Sequence, residues 1–185
     1  MASENLLIRR QGKGTFVASH DDPRSFYRFL RLVPDDGMPA HAVSVPLSCS
    51  TREAGCEAAT ALGIAVGEPV IYVERLLRFN GETVVFDQIH LVTDLFAGLT
   101  LESLSGGDRS LYSLFENDYG VRMIHAEEHL RAVAADPYSA GLLGVQSGAP
   151  LLLVERTAYT YGNKPVEWRR GLYCTNRHYY RNDLG

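Results

Sequence analysis

Two stretches of this chain carry the same succession of apolar and polar positions. Residues 57 to 92 read EAATALGIAVGEPVIYVERLLRFNGETVVFDQIHLV, and residues 138 to 173 read YSAGLLGVQSGAPLLLVERTAYTYGNKPVEWRRGLY. An ungapped shift of 81 positions matches them with eleven identities in 36 positions. The signposts are Leu62-Gly63 with Leu143-Gly144, Gly67 with Gly148, Pro69 with Pro150, Val73-Glu74-Arg75 with Val154-Glu155-Arg156, and Gly81 with Gly162. Each stretch predicts a short Ala/Leu helix ended by Leu-Gly, a Gly-x-Pro break, an apolar strand, a turn closed by glycine and a returning strand. Two helix–hairpin copies are too few for an open solenoid, which needs about three units. The duplication therefore predicts one closed α+β domain whose halves share a sheet.

The pattern places the remaining elements around these copies. Alternation along Val70 to Phe79 puts Val73, Arg75, Leu77 and Phe79 on one face and Glu74, Leu76 and Arg78 on the other. Asn80-Gly81 is a hairpin turn, and Thr83 to Leu91 returns with Asp87 on an apolar face between Val85 and Ile89. An acid there either faces something polar or marks a misread strand. In the second copy Asp136-Pro137 caps the helix, Leu151 to Thr160 and Pro165 to Tyr173 are the strands, and Glu167, Arg169 and Tyr173 share a face. Phe26 to Leu32 and Val43 to Cys49 read as further strands, and Ser50-Thr51-Arg52-Glu53 as a capping box opening the first helix. Leu99 to Leu104 is a short element of undecided type. Leu111 to Tyr119 is a helix with Leu111, Leu114 and Phe115 on its apolar side, ended by Gly120. The polar, aromatic tail 176–184 suits an edge strand or a partner surface.

Composition narrows the function. A chain of 185 residues with 45% hydrophobic and 22% charged positions is expected to be one globular domain. The net charge of −4 argues against a nucleic-acid-binding body. Three cysteines without a CxxC fit a reducing compartment and neither a disulfide framework nor a zinc site. No apolar run approaches the roughly 18 residues of a membrane helix, so the expectation is a soluble, cytoplasmic protein without a membrane partner. Against this acidic background the first 18 residues stand out. Leu6–Arg10 and Thr15–Val17 read as a hairpin whose tip gathers Arg9, Arg10 and Lys13 without an acid, which suits a DNA backbone or minor groove or, equally, a solvated edge.

Two segments have the spacing of chemical sites. Ser105-Gly106-Gly107-Asp108-Arg109-Ser110 before a helix can cradle an anion on free amides, or simply cap that helix through Asp108 or Ser110. His125-Ala126-Glu127-Glu128-His129 has the H-x-x-E-H spacing of a zinc peptidase helix, or is a strand with His125, Glu127 and His129 on a solvated side. No third ligand stands out, and neither a metal nor another cofactor is expected.

The string RRQGKGTFVA resembles the end of the winged helix-turn-helix domain of the GntR superfamily of bacterial transcription regulators, whose wing carries GxGTFV. The helices that read the major groove are not in this sequence. From residue 19 to 185 the chain is similar to the HutC-type subfamily and its effector-binding (UTRA) domain, related in fold to chorismate lyase. The similarity rests on VERLLRFNGETVVFDQIHL, SLYSLFENDYGV, the Leu-Gly-Val-x-x-Gly-x-Pro-Leu-Leu run and GNKPVEWRRGLY. It implies an antiparallel sheet flanked by helices, homodimers, and operator DNA bound only by the full-length protein. Residues 1–18 would then be a wing remnant and 19–185 the effector-binding and dimerisation domain.

The resemblance to phosphosugar-binding members implies a site. Arg75 and Asp87 match its strand arginine and acid, Ser110, Leu111 and Tyr112 its anion-holding helix start, and Glu167 and Tyr173 its late acid and phenol. Two departures stand out: Leu77 replaces a second arginine, and Tyr173-Cys174-Thr175-Asn176 replaces Tyr-Arg-x-Asp. A carboxylate metabolite held by Arg75 and Arg109 is therefore as well supported as a sugar phosphate. The function implied is effector sensing by a transcriptional regulator, typically a repressor, with no catalytic residues. The alternative is a chorismate lyase-like enzyme using the same pocket, although the sequence offers no nucleophile–base pair.

Overall fold

The computed structural model describes residues 7–10, 14–17, 31–37, 42–106 and 109–182. Leu7–Arg10 (β1) and Gly14–Val17 (β2) pair antiparallel, as the hairpin reading requires, while its tip 11–13 lies outside the described residues. A second ribbon joins Leu32–Pro34 (β3) to His178–Tyr180 (β10), so part of the tail is a strand after all. The strand expected over Phe26 to Leu32 falls outside the described residues except at its end, where Leu32 opens β3.

The body is one six-stranded antiparallel sheet. Its strands are Ala42–Glu53 (β4), Pro69–Phe79 (β5), Glu82–Val92 (β6), His125–Ala134 (β7), Pro150–Thr160 (β8) and Lys164–Tyr173 (β9), in the order β4-β5-β6-β9-β8-β7. The order is a palindrome. Each half is strand, helix, hairpin, with Cys56–Leu62 (α1) in the first and Pro137–Leu143 (α4) in the second. The repeat is thus one strand longer at its start than the sequence identities reveal.

The shift of 81 holds only as far as the turn. Strand β5 begins at Pro69 and β8 at Pro150, but β6 begins at Glu82 and β9 at Lys164, one residue further on. Asn80-Gly81, both at positive φ, make a two-residue turn; Tyr161–Asn163 make a three-residue one, with Gly162 at φ 71° and Asn163 at φ 58°. The longer turn absorbs the extra residue and the offset beyond it becomes 82, so Asp87 corresponds to Arg169 and Phe86 to Trp168. Gln88 then pairs across the β6–β9 seam with its own counterpart, Arg170, and marks the pseudo-twofold axis.

The capping box over Ser50–Glu53 is not formed. Those residues continue β4, pairing with Tyr72, Ile71, Val70 and Pro69, and α1 starts only at Cys56 behind Gly55. Twelve residues of ladder outweigh a local cap. The caps expected at Asp136, Gly63, Gly120 and Gly144 are present. The undecided segment resolves as Leu101–Ser105 (α2), capped by Thr100. His125 to His129 lie in β7 with His125, Glu127 and His129 exposed and alternating, so the helical zinc geometry does not exist.

Helices α1 and α4 cover one face, Ala58, Ala59 and Leu62 packing on Trp168, and Ala140 and Leu143 on Phe86. The other face is covered at one end by Leu111–Tyr119 (α3), whose Tyr112, Leu114 and Phe115 join Phe96, Ile89 and Leu91. At the other end it is covered by β3 and β10, where Leu32 packs with Leu77, Val85, Val154 and Tyr173. A band of charged side chains lies between these two apolar clusters.

Candidate ligand-binding site

Asp87 is fully buried at the centre of that band. Arg75, directly opposite on β5, donates from Nε at 2.9 Å and approaches from Nη2 at 2.8 Å to the same Oδ2. Arg169 reaches that oxygen from β9 at 3.3 Å, and its Nη2 lies 2.8 Å from Oε1 of the equally buried Glu167. Tyr112 of α3 donates to Glu167 at 3.2 Å. One strand further on, Arg156 donates to Glu128 of β7 at 2.7 Å, and Tyr180 of β10 bonds the other Glu128 oxygen. Helix α3 and strand β10 are thus joined, through acids and arginines, to the middle of the sheet.

Burial on this scale is costly unless each charge is paired. Three buried arginines face Asp87, Glu167 and the less buried Glu128, so the pairing is nearly complete in charge. It is incomplete in hydrogen bonds: Asp87 Oδ1, Glu167 Oε2 and Arg169 Nε and Nη2 have no aligned partner among the described residues. Burial and then the adjacent Arg169 charge lower the Arg75 pKa. Burial would lower Arg169 too, but Glu167, Tyr112 and Asp87 carry it above its ordinary value. Burial, followed by the charge of Asp87, pushes the Tyr173 phenol up to about 12, which keeps it a neutral donor. Gly171 sits opposite Asp87 because nothing larger fits: a Cβ there would lie 2.5 Å from the Tyr173 ring and 2.8 Å from Asp87 Oδ1.

Arg75 also forms the wall of a pocket of about 30 Å³ shared with Ser44, Arg109, Ser110, Leu111 and Leu114. The structure therefore brings Arg75, Arg109, Ser110 and Leu111 to one pocket, and sets Asp87, Tyr112 and Glu167 behind it. Tyr173 lies further along the same face, packed with Tyr180. Ser110 is the N-cap of α3, its hydroxyl accepting from the Ser113 amide at 3.0 Å. Arg109 is turned to Asp118, gripping both carboxylate oxygens at 2.7 and 2.6 Å on the surface. Sequence reasoning missed Arg156 and Glu128 and gave Arg169 no role. The signal for Arg156 was present, because it is the repeat counterpart of Arg75.

The sequence profile of the UTRA domain matches residues 41–179. The chain belongs to the UTRA family. A solved UTRA-type structure, the ligand-binding domain of a GntR-family regulator from Bordetella bronchiseptica, is 48% identical, with a TM-score of 0.83 over 86% of this chain and 99% of that one. The HTH-type regulator Rv0792c of Mycobacterium tuberculosis is 31% identical over 169 residues, 89% of this chain and 61% of that protein. The repressor NagR of Bacillus subtilis is 25% identical, covering 96% of this chain and 72% of that protein. These relatives are regulators, not enzymes, and this UTRA domain is an effector domain of GntR-type transcriptional regulation with the α+β, chorismate lyase-like fold. No helix among the described residues is long and apolar enough to cross a membrane.

Proposed function

We propose that the pocket at Arg75 and Ser110, with the charge network behind it, receives a small anionic metabolite, a sugar phosphate or a carboxylate. Arg75 carries this reading, since it alone belongs both to the pocket wall and to the buried pairs. The anion meets Arg75 and the amides at the start of α3; Arg109 reaches it only by releasing Asp118. Arg169 offsets the loss implied by Leu77, bringing a second guanidinium to Asp87 from the neighbouring strand. Asp87, Glu167, Tyr112 and Tyr173 hold hydroxyls or an amine, and the unsatisfied oxygens of the two acids support that role.

The enclosed space is smaller than ligand pockets, which run from about 300 Å³. Binding and rearrangement of the lining therefore go together, and a ligand preferring the rearranged state shifts the protein by its differential affinity. The chain acts as a cytoplasmic homodimer, with residues 1–18 the end of a winged helix-turn-helix domain and operator DNA bound by the full-length regulator. Thermal melts against sugar phosphates and small carboxylates test the site. A ligand at about 100 times its dissociation constant stabilises by about 2.7 kcal/mol, and Arg75→Ala and Ser110→Ala should abolish the shift. A shift that survives both substitutions would refute the site. Light scattering showing a monomer would refute the dimer.

A further inference from the structure

The helix-covered face holds a second cavity, on the far side of the sheet from Arg75. It is a groove of about 460 Å³ beside the first turn of α1, floored by Tyr72, His90 and Trp168 and edged by Gln88, Arg170 and Glu57. That volume lies within the range of small-molecule sites, roughly 300–1,000 Å³.

The duplication shows that the groove is not a requirement of the fold. Trp168 beneath α1 corresponds to Phe86 beneath α4, and Glu57 of α1 to Tyr138 of α4. In the second half the Tyr138 ring lies edge-on to Phe86 at 5.8 Å, and its hydroxyl reaches Glu74. The counterparts of Tyr72 and His90 there are Leu153 and Leu172, so that floor keeps one aromatic ring, Phe86, with a tyrosine beside it. In the first half Glu57 is exposed and the floor is aromatic, with ring centroids 5.0 Å apart for Tyr72 and His90 and 4.9 Å for His90 and Trp168.

The groove also carries polar groups that folding leaves unused. His90 bonds the Trp168 backbone, while its Nδ1 and the Nε of Arg170 have no hydrogen-bond partner among the described residues. Arg52 lies over the Tyr72 ring at 3.7 Å and covers that face, which leaves Trp168 and His90 as the floor a second ring can use. The guanidinium of Arg170 is 3.7 Å from Glu155 and partly exposed. A flat aromatic floor and the Arg170 guanidinium at its edge suit a flat anion.

We infer that this groove is a second ligand site, taking a planar aromatic or heteroaromatic carboxylate whose ring lies on Trp168 and His90 and whose carboxylate meets Arg170. It is independent of the pocket at Arg75.

Trp168 is the one tryptophan in the chain, so its emission reports on the groove directly. Benzoate and nicotinate, titrated into the full chain, should change that emission saturably, whereas neutral benzamide should not. Glu57→Tyr, which installs the cover found in the other half, should abolish the response. Arg170→Met should weaken it at least tenfold, and Ser110→Ala on the opposite face should leave it intact. No saturable change, an equal response to benzamide, or an unchanged response in Glu57→Tyr would overturn the assignment. An emission change on dilution alone would overturn it in favour of a contact with a second copy.

Discussion

The two halves of the sheet share a backbone plan but not a charge plan. In the first half the hairpin sets Arg75 against Asp87; in the second the same two places hold Arg156 and Arg169. Two arginines cannot satisfy each other. Arg169 therefore leans across the pseudo-twofold axis to Asp87, and Arg156 turns outward to Glu128 on β7. Each half holds as many acids as arginines, Asp87 for Arg75 and Glu128 and Glu167 for Arg156 and Arg169, and the Arg169–Asp87 contact fastens one half to the other. A symmetric duplicate would have repeated the Arg75–Asp87 pair; these halves share Asp87 instead.

That comparison ranks the substitutions. Asp87→Ala removes the acid both halves depend on and leaves Arg75 and Arg169 buried without it, at an expected cost of about 3–5 kcal/mol in urea unfolding. Glu128→Ala releases Arg156 and the Tyr180 hydroxyl, but Glu128 retains some contact with solvent, so about 1–3 kcal/mol is expected. If the second loss matched the first, the shared acid would not be the fastening point. Gly171→Ala crowds Asp87 and Tyr173, with an expected cost of about 1–3 kcal/mol. A neutral effect would show that the centre is looser than its spacings imply.

The smallest effect is on pH dependence. Burial, aided by the Arg52 charge and opposed by the Trp168 backbone bond, holds His90 down to about 4, while an unfolded histidine titrates near about 6.5. As the pH falls between those values the unfolded chain takes up the proton first, so stability declines in that window. His90→Leu, the residue at the matching place in the other half, should flatten the decline. Urea midpoints at two pH values inside and above the window measure it, and an unchanged slope would assign the decline to other groups.

Much of this was legible in the residues. Val-Glu-Arg written twice, Asn80-Gly81, and the glycines after Leu62 and Leu143 set the hairpins and helix ends, because turn chemistry is local. Asp87 between Val85 and Ile89 announced a buried partner. What escaped was non-local. Ser50 to Glu53 satisfy a capping pattern, yet Arg52 and Glu53 extend β4, since the ladder to β5 lies outside any local window. The identity of Leu91 with Leu172 is a coincidence of the ungapped shift: Leu91 pairs with Glu167 on the charged face, and Leu172 with Phe86 on the other. The pairing of Arg109 with Asp118 escaped too, because nothing in the neighbouring sequence showed that Asp118 would fold back onto it.

The three-residue turn at Tyr161–Asn163 has a consequence for ancestry. Because the bend absorbs the added residue, β9 keeps the register that β6 has, and the place of Asp87 is filled by Arg169 through a change of residue. A solvent-facing bend could thus lengthen in the copied segment without disturbing the centre of the domain. Divergence of the two copies is legible in the exchange of an acid for an arginine, and the difference in length records only where the chain could accept one.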